Sequence, residues 1–382
     1  MQILVVKLSS IGDVVHTLPA AAALKAGLPD AVISWAVEHR AAAILRDSPA
    51  IDDLIEVDLQ NSRKNLGGPL VIKNLKRQLG SRNSASNSHQ SKRRFDIAID
   101  FQGLIKSGLV TLASNARRRL GFETADLRER PSRLFLTDQV DTIKLPHVIQ
   151  KNLALAQHAI SLVDSSADLR GAALTPNDPG SYEFPIAISR GDEIYADELI
   201  EVCKGRFAIV NPGGGWGTKL WSAQCYGRLT DWLAAEYGIG SVVTCGPGEE
   251  ALARSVLSNA RSETVIVARS TLKQFAALAR RASLFVGGDS GPLHIAAACK
   301  TPIVGLYGPT SPRRNGPFDP RDVTVGRDIW CREDCHRRSC WHWECMDIPV
   351  SEVQRAIEQR LLSLQEKSGV TAVRATIPRV GL

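Results

Sequence analysis

Short apolar, β-branched runs alternate with helically spaced stretches along most of this chain. In the first half, Met1–Val6, Ala31–Val37, Asp53–Val57, Phe95–Ile99 and Arg119–Phe122 read as strands. Between them Gly12–Ala26, Ala41–Asp47, Leu70–Leu79, Gly103–Ala113 and Val148–Leu162 read as helices. Strands separated by helices imply a mostly parallel sheet covered on both faces. Leu174–Ser189 breaks the rhythm with Pro176, Pro179, Gly180 and Pro185 and reads as a linker. A second series follows: strands Phe207–Val210, Ser241–Cys245, Thr264–Val267, Leu284–Val286 and Ile303–Tyr307, and helices Ala223–Glu236, Glu249–Asn259 and Leu272–Arg281. Val350–Leu364 has the spacing of a terminal amphipathic helix. The expected fold class is α/β, with one domain over 1–175, a linker over 176–190, a second domain over 191–349, a helix over 350–366 and a loose tail over 367–382.

Two polar loops stand where a strand gives way to a helix. In Gly287–Ala298 (GGDSGPLHIAAA) an apolar run ends and a small-residue helix opens. Free backbone N–H groups and the helix dipole make that position favourable for anions. Asp289, Ser290, Gly291 and, one turn in, His294 are its polar or small members. In Val5–Pro19 (VVKLSSIGDVVHTLP) a strand feeds a polar turn, and Asp13 falls in the first helical turn. One such loop per half of the chain points to a site built from two domains. A glycine-rich turn, Asn211–Trp221 (NPGGGWGTKLW), follows the first strand of the second half, and its Lys219 supplies a positive charge. Glu249 and Glu250 follow Gly246-Pro247-Gly248 at the next strand end, and either could accept hydrogen bonds there.

Composition narrows the class without naming it. A chain of 382 residues suits two cores better than one, and 44% hydrophobic with 23% charged residues is ordinary for a water-soluble protein. No apolar run reaches the ~18 residues of a spanning helix. The sequence starts directly in a strand, without a basic leader or an apolar signal core, so a cytoplasmic location is expected. Net charge is +7, but the cations are clustered. From Leu59 to Phe95 stand Arg63, Lys64, Lys73, Lys76, Arg77, Arg82, Lys92, Arg93 and Arg94 with no acidic residue among them, and Arg117-Arg118-Arg119 follows. Such a block attracts anions at long range: a nucleic acid, an anionic membrane or an acidic glycolipid. Gly80–Lys92 within it is polar and serine-rich and reads as a surface insertion. Cys203, Cys225, Cys245 and Cys299 lie in expected helices or strands and read as core residues. Cys331, Cys335, Cys340 and Cys345 cluster with His336 and His342, which leaves a structural zinc, redox-labile thiols or simple packing as readings.

Lys7–Pro19, Asp100–Ser107 (DFQGLIKS), Lys219-Leu-Trp221, Gly288–Gly291 with His294, and Gly305–Pro312 (GLYGPTSP) resemble, in the same order, the motifs of the bacterial lipopolysaccharide heptosyltransferases of glycosyltransferase family nine. The likeness runs from Met1 to about Ser363 and is greatest toward heptosyltransferase I. It implies a GT-B fold of two Rossmann-like domains facing each other across a cleft, the first binding the acceptor and the second the nucleotide sugar, with the terminal helix crossing back to the first. It implies an inverting transfer of heptose from ADP-heptose to the anionic Kdo/lipid A inner core, with no metal, by a monomer at the cytoplasmic face of the inner membrane. Such a transfer needs one carboxylate base and one anion-binding loop rather than a matched acid and base. Asp13 then corresponds to the base, and Lys219 balances the departing diphosphate. Gly214, Gly215, Thr218, Lys219, Glu249, Asp289, Ser290, Gly291 and His294 fall on the donor side, with His294 as a phosphate donor. Lys7, Ser9, Ser10, Gly12, Arg63, Lys64, Gln102, Gly103 and Lys106 fall on the acceptor side. The rival readings are another sugar-nucleotide transferase of the family with a different acceptor, a non-catalytic nucleotide-sugar binder, a dinucleotide oxidoreductase and a nucleic-acid binder. The oxidoreductase is disfavoured because Leu8–Asp13 lacks GxGxxG, and the nucleic-acid binder because the basic block lacks interleaved aromatics.

Overall fold

The structure, a computed structural model, describes residues 1–59, 68–80, 94–163, 181–203, 205–331, 335 and 338–368, without the side chains of 68, 69 and 365–368. The chain divides into two compact units, Met1–Ala187 and Ile188–Leu382, and the division falls inside the segment read as a linker.

In the first unit β1 (Gln2–Val6), β2 (Val32–Val37), β3 (Asp53–Glu56), β4 (Ile97–Asp100), β5 (Arg118–Phe122) and β6 (Asp138–Val140) form one sheet in the order β3-β2-β1-β4-β5-β6. All its pairings are parallel, and Val6 at the end of β1 lies opposite both Ala36 and Asp100. The central strand is buried almost throughout, as a parallel strand covered on both faces must be. One core face gathers Leu4, Val6, Ile55, Ala98 and Val110 with Val71, Leu75 and Leu79 of the helix Gly68–Gly80. Lys73, Lys76 and Arg77 project from the exposed side of that helix, and Arg94 is exposed as well. The other five cations of the basic block, Arg63, Lys64, Arg82, Lys92 and Arg93, lie outside the described residues, as does most of the expected insertion.

In the second unit β7 (Phe207–Asn211), β8 (Gly240–Cys245), β9 (Val265–Arg269), β10 (Leu284–Gly288), β11 (Ile303–Leu306) and β12 (Val323–Val325) are ordered β12-β11-β10-β7-β8-β9, again all parallel. Numbered from its own first strand, this sheet reads 6-5-4-1-2-3, which is the first unit's order taken from the other edge. Both units are therefore doubly wound in the Rossmann order, as expected, and each has a switch point between its first and fourth strands.

Four elements depart from the sequence reading. The helix expected over Gly12–Ala26 is two helices, Ile11–Val15 and Leu18–Gly27, because Pro19 has no N–H for the carbonyl of Val15. The edge strands β6 (DQV) and β12 (VTV) were not foreseen, being too short and too polar to show a period of their own. The charged helix Arg190–Cys203, which buries only Ala196 fully, was missed as well. The terminal helix Val350–Ser368 packs on β11, β12 and the helix Ala223–Tyr237 of its own unit. Val353, Ala356, Ile357 and Leu361 form its buried stripe, and Arg360 Nε donates to Asp322 Oδ1 at 2.8 Å with both side chains almost fully buried. The expected tail lies outside the described residues, apart from the last turns of this helix.

Candidate active site

In the first unit the loops that leave β1 and β4 are neighbours at the switch point, and hydrogen bonds knit them together. Asp100 ends β4 and accepts from the amides of Gln102 and Gly103 and from the Ser107 hydroxyl at 2.8–3.1 Å. Gly103 makes this turn at a φ of +67°, where a side chain would be strained. The Gln102 amide oxygen in turn accepts the Leu8 N–H at 2.7 Å. Burial pushes the Asp100 carboxyl above its ordinary range, against the opposing pull of those hydrogen bonds and of Lys7. Lys7 is itself buried and donates to the Phe101 carbonyl at 2.7 Å.

Asp13 stands on the helix Ile11–Val15 beside this frame. Its Oδ2 accepts from the Ser10 amide and hydroxyl at 3.3 and 3.1 Å. Two cations face Oδ1: Arg128 Nη2 at 3.0 Å and Lys7 Nζ at 3.9 Å. Lys106 Nζ reaches Ser9 Oγ at 3.0 Å and Glu38 Oε1 at 2.7 Å. The result is a partly open carboxylate held at the carboxyl end of the central strand and ringed by hydroxyls and cations.

The second unit repeats the placement. The loops after β7 and β10 are adjacent at its switch point. Asn211 ends β7; its amide donates to Thr244 at the end of β8, and its Oδ1 accepts from Ser290 Oγ at 3.5 Å. Asp289 is 4% exposed and receives Lys219 Nζ at 2.6 Å, Asn315 Nδ2 at 2.8 Å and His294 Nε2 at 3.1 Å. Burial opposes its ionisation, but the His294 hydrogen bond and the charges of His294 and Lys219 outweigh burial and hold the carboxyl far below the usual range. Ser290 caps the helix Gly291–Ala298, whose amino end opens beside this cluster. Glu249 caps the helix Glu250–Asn259 and accepts from the amides of Gly214 and Gly246 at 3.1 and 2.9 Å. A side chain on Gly213 would collide with the Glu249 carboxylate, so the glycine loop can lie against it only without one. Glu250 points elsewhere, pairing with the exposed Arg269 at 3.6 Å.

The model of glycosyltransferase family 9 (heptosyltransferase) matches residues 88–342. The chain belongs to glycosyltransferase family 9. It is 27% identical over 345 residues to lipopolysaccharide heptosyltransferase 1 of Pseudomonas aeruginosa, covering 89% of this chain and 87% of the relative. Its fold is that of the family 9 glycosyl transferase crystal structure from Veillonella parvula, with a TM-score of 0.72 at 20% identity over 95% of this chain and 97% of that one. The Escherichia coli heptosyltransferase WaaC, solved with ADP-2-deoxy-2-fluoro heptose, matches at a TM-score of 0.69 and 22% identity over 94% of this chain and 99% of that one.

Within this family 9 frame the candidate residues separate by what the tertiary structure does with them. Lys7, Ser9, Ser10, Gly12, Asp13, Gln102, Gly103 and Lys106 gather at the first switch point. Gln102, however, is buried and committed to Leu8, which makes it a clamp between loops. Gly214, Thr218, Lys219, Asp289, Ser290, Gly291 and His294 belong to the loops of the second switch point, Glu249 reaches Gly214 from the loop after β8, and Gly215 is exposed beside them. Lys219, expected to balance the departing diphosphate, and His294, expected as a phosphate donor, both reach Asp289 through Nζ and Nε2, because a buried carboxylate draws the cations and N–H groups within reach. Arg63 and Lys64 lie outside the described residues. Sequence reasoning missed Arg128, Glu38 and Asn315. Glu38 could have been found, since it directly follows β2 at the end of the sheet where sites form. Arg128 lies in an irregular stretch after β5 and gives no local signal.

The cysteine-rich segment also belongs to the second unit. Cys331, Cys335, Cys340 and Cys345 line one cavity of about 10 Å³ with His342 and Trp343, room for a single water-sized occupant. Burial first, and then the three neighbouring thiols, push the Cys345 thiol up. Among the described residues no group of three or more His, Cys, Asp or Glu is placed to hold a metal ion, so the zinc reading finds no formed site there. Of the remaining cysteines Cys245 is buried, and Cys203, Cys225 and Cys299 are half-buried, Cys225 against the core of the second unit.

Proposed function

We infer that this family 9 member is an inverting, metal-independent heptosyltransferase. It moves a heptose from ADP-heptose to the anionic Kdo/lipid A inner core of lipopolysaccharide. The observation that carries the reading is the pair of switch-point loops: a carboxylate, Asp13, on the first Rossmann sheet and an anion-favouring helix terminus with Lys219 on the second. The name of the Pseudomonas relative, similar over most of both chains, supports the substrate class.

In this reading an acceptor hydroxyl attacks the anomeric carbon from the face opposite the leaving group, which inverts the configuration. Its proton passes to Asp13, and a base within hydrogen-bond reach is all that this half of the chemistry requires. The bond from the anomeric carbon to the diphosphate oxygen breaks, and its electron pair leaves with ADP. The amides at the amino end of Gly291–Ala298 and the ammonium of Lys219 favour that charge. Glu249 accepts from the ribose hydroxyls in this reading.

No helix among the described residues is long and apolar enough to cross a membrane. The exposed cations Lys73, Lys76, Arg77 and Arg94 favour peripheral attachment to the anionic cytoplasmic face of the inner membrane. Incubation with ADP-heptose and Kdo-lipid A tests the reading. The expected outcome is one ADP released per heptose transferred, at a rate unchanged by EDTA. No transfer to this acceptor, with turnover of a different sugar nucleotide, would move the chain to another branch of the family.

A further inference from the structure

The charge of the donor loop does not suffice for the ligand just assigned to it. Lys219 is its cation, but Nζ lies 2.6 Å from the Asp289 carboxylate and 3.0 Å from the Asp289 carbonyl. Glu249 adds a second carboxylate beside Gly214. A diphosphate entering here would meet a lysine already neutralised by a buried partner, in a loop with no surplus positive charge from these three groups.

Another cation stands close by. The Arg338 guanidinium lies over the Trp216 ring, 5.6 Å from its centroid, and Lys219 Nζ lies over the same ring at 4.6 Å. Arg338 is exposed and makes no ion pair among the described residues. The chain that follows it is fastened to the glycine loop at two points and to the loop after β11 at a third. Trp343 Nε1 donates to the Thr218 carbonyl at 3.2 Å, Trp221 Nε1 donates to the Ile348 carbonyl at 2.9 Å, and Gly308 abuts Met346 and Cys345. The head of the arginine rests on an aromatic face. An exposed cation–π contact is weak, and a phosphate offers a guanidinium far stronger, bidentate hydrogen bonds.

We propose that Arg338, which lies over Trp216, is a second phosphate-binding residue of the donor site and turns onto the diphosphate when the donor binds. The inference rests on the reading of the chain as an ADP-sugar transferase. Arg338 neither gives nor takes a proton. It balances the negative charge that collects on the diphosphate as the glycosidic bond breaks, so it acts on binding and on the chemical step together.

Calorimetric titration with ADP and with adenosine separates the possibilities. Arg338→Ala should weaken ADP about tenfold or more, since a charge-assisted hydrogen bond is lost. The same variant should leave adenosine affinity and the melting temperature unchanged, because the side chain is exposed and meets only phosphate. It should also flatten the salt dependence of ADP binding and lower kcat in heptose transfer. Arg338→Lys, which keeps a point charge but loses the fork, should recover part of each loss. Equal ADP affinity in wild type and Arg338→Ala, or an equal loss for ADP and adenosine, would overturn the assignment of Arg338. Failure of the wild type to bind ADP at all would instead overturn the donor reading on which the assignment stands.

Discussion

Asp289 concentrates the electrostatics of the second unit, and its neighbours make it a pH-dependent component of stability. Lys219, His294 and Asn315 reach it from three separate parts of the chain. A carboxyl whose folded-state pKa is depressed contributes stability that is complete above its unfolded value, here 3.8, and is lost as pH falls below that. Asp289→Asn should therefore cost on the order of 2–3 kcal/mol at neutral pH, the loss of charged hydrogen bonds at a buried site. The gap between variant and wild type should narrow as pH is taken below about 4 in urea titrations, because the unfolded wild-type chain then takes up a proton that the folded carboxylate does not. A gap that stays constant down to pH 3 would mean that the carboxylate is not a charged anchor. The same geometry explains why Lys219, an obvious phosphate-binding lysine in sequence, is in the fold a structural cation as well.

Elements, not single residues, put the two sites where they are. In both units the site lies at the carboxyl ends of the first and fourth strands, β1 with β4 and β7 with β10, because there neighbouring loops diverge to opposite faces of the sheet and leave a crevice. In the first unit that crevice is framed by the Asp100 turn and the Gln102 clamp, so Gln102→Leu should loosen both loops. Leaving the Leu8 N–H without its acceptor costs about 1–3 kcal/mol, and kcat should fall with it. The terminal helix depends on the buried Arg360–Asp322 pair in the same way. Arg360→Ala strands a buried carboxylate and should cost about 3–5 kcal/mol in equilibrium unfolding, whereas Arg355→Ala on the exposed side of the helix should cost little.

The whole molecule divides the proposed labour between its two units, and that division can be read kinetically. Asp13 and its partners Ser10, Arg128 and Lys7 all belong to the first unit, while Lys219, Glu249, Asp289 and His294 all belong to the second. Asp13→Ala should lower kcat by about 10²–10⁴-fold, the usual contribution of a general base, and leave ADP affinity within twofold of wild type. A matched loss of ADP binding would mean that Asp13 serves the donor, and near-normal turnover would remove it from the mechanism.

The linear pattern determined the α/β class, the two strand–helix series on either side of a proline-rich stretch and the loops that carry Asp13 and Asp289. Those features are local: strand periodicity, helix periodicity and turn residues act over a few neighbours, so they can be read without the fold. Only the tertiary structure decided who pairs with whom. Asp13 meets Arg128 across 115 positions, Leu8 meets Gln102 across 94 and Lys219 meets Asp289 across 70. These partners are chosen by the order in which the strands assemble, and no local period encodes that order. The same reason hid β6 and β12: an edge strand of three residues is held by its neighbour's hydrogen bonds rather than by its own pattern, and it becomes a strand only once the sheet beside it exists.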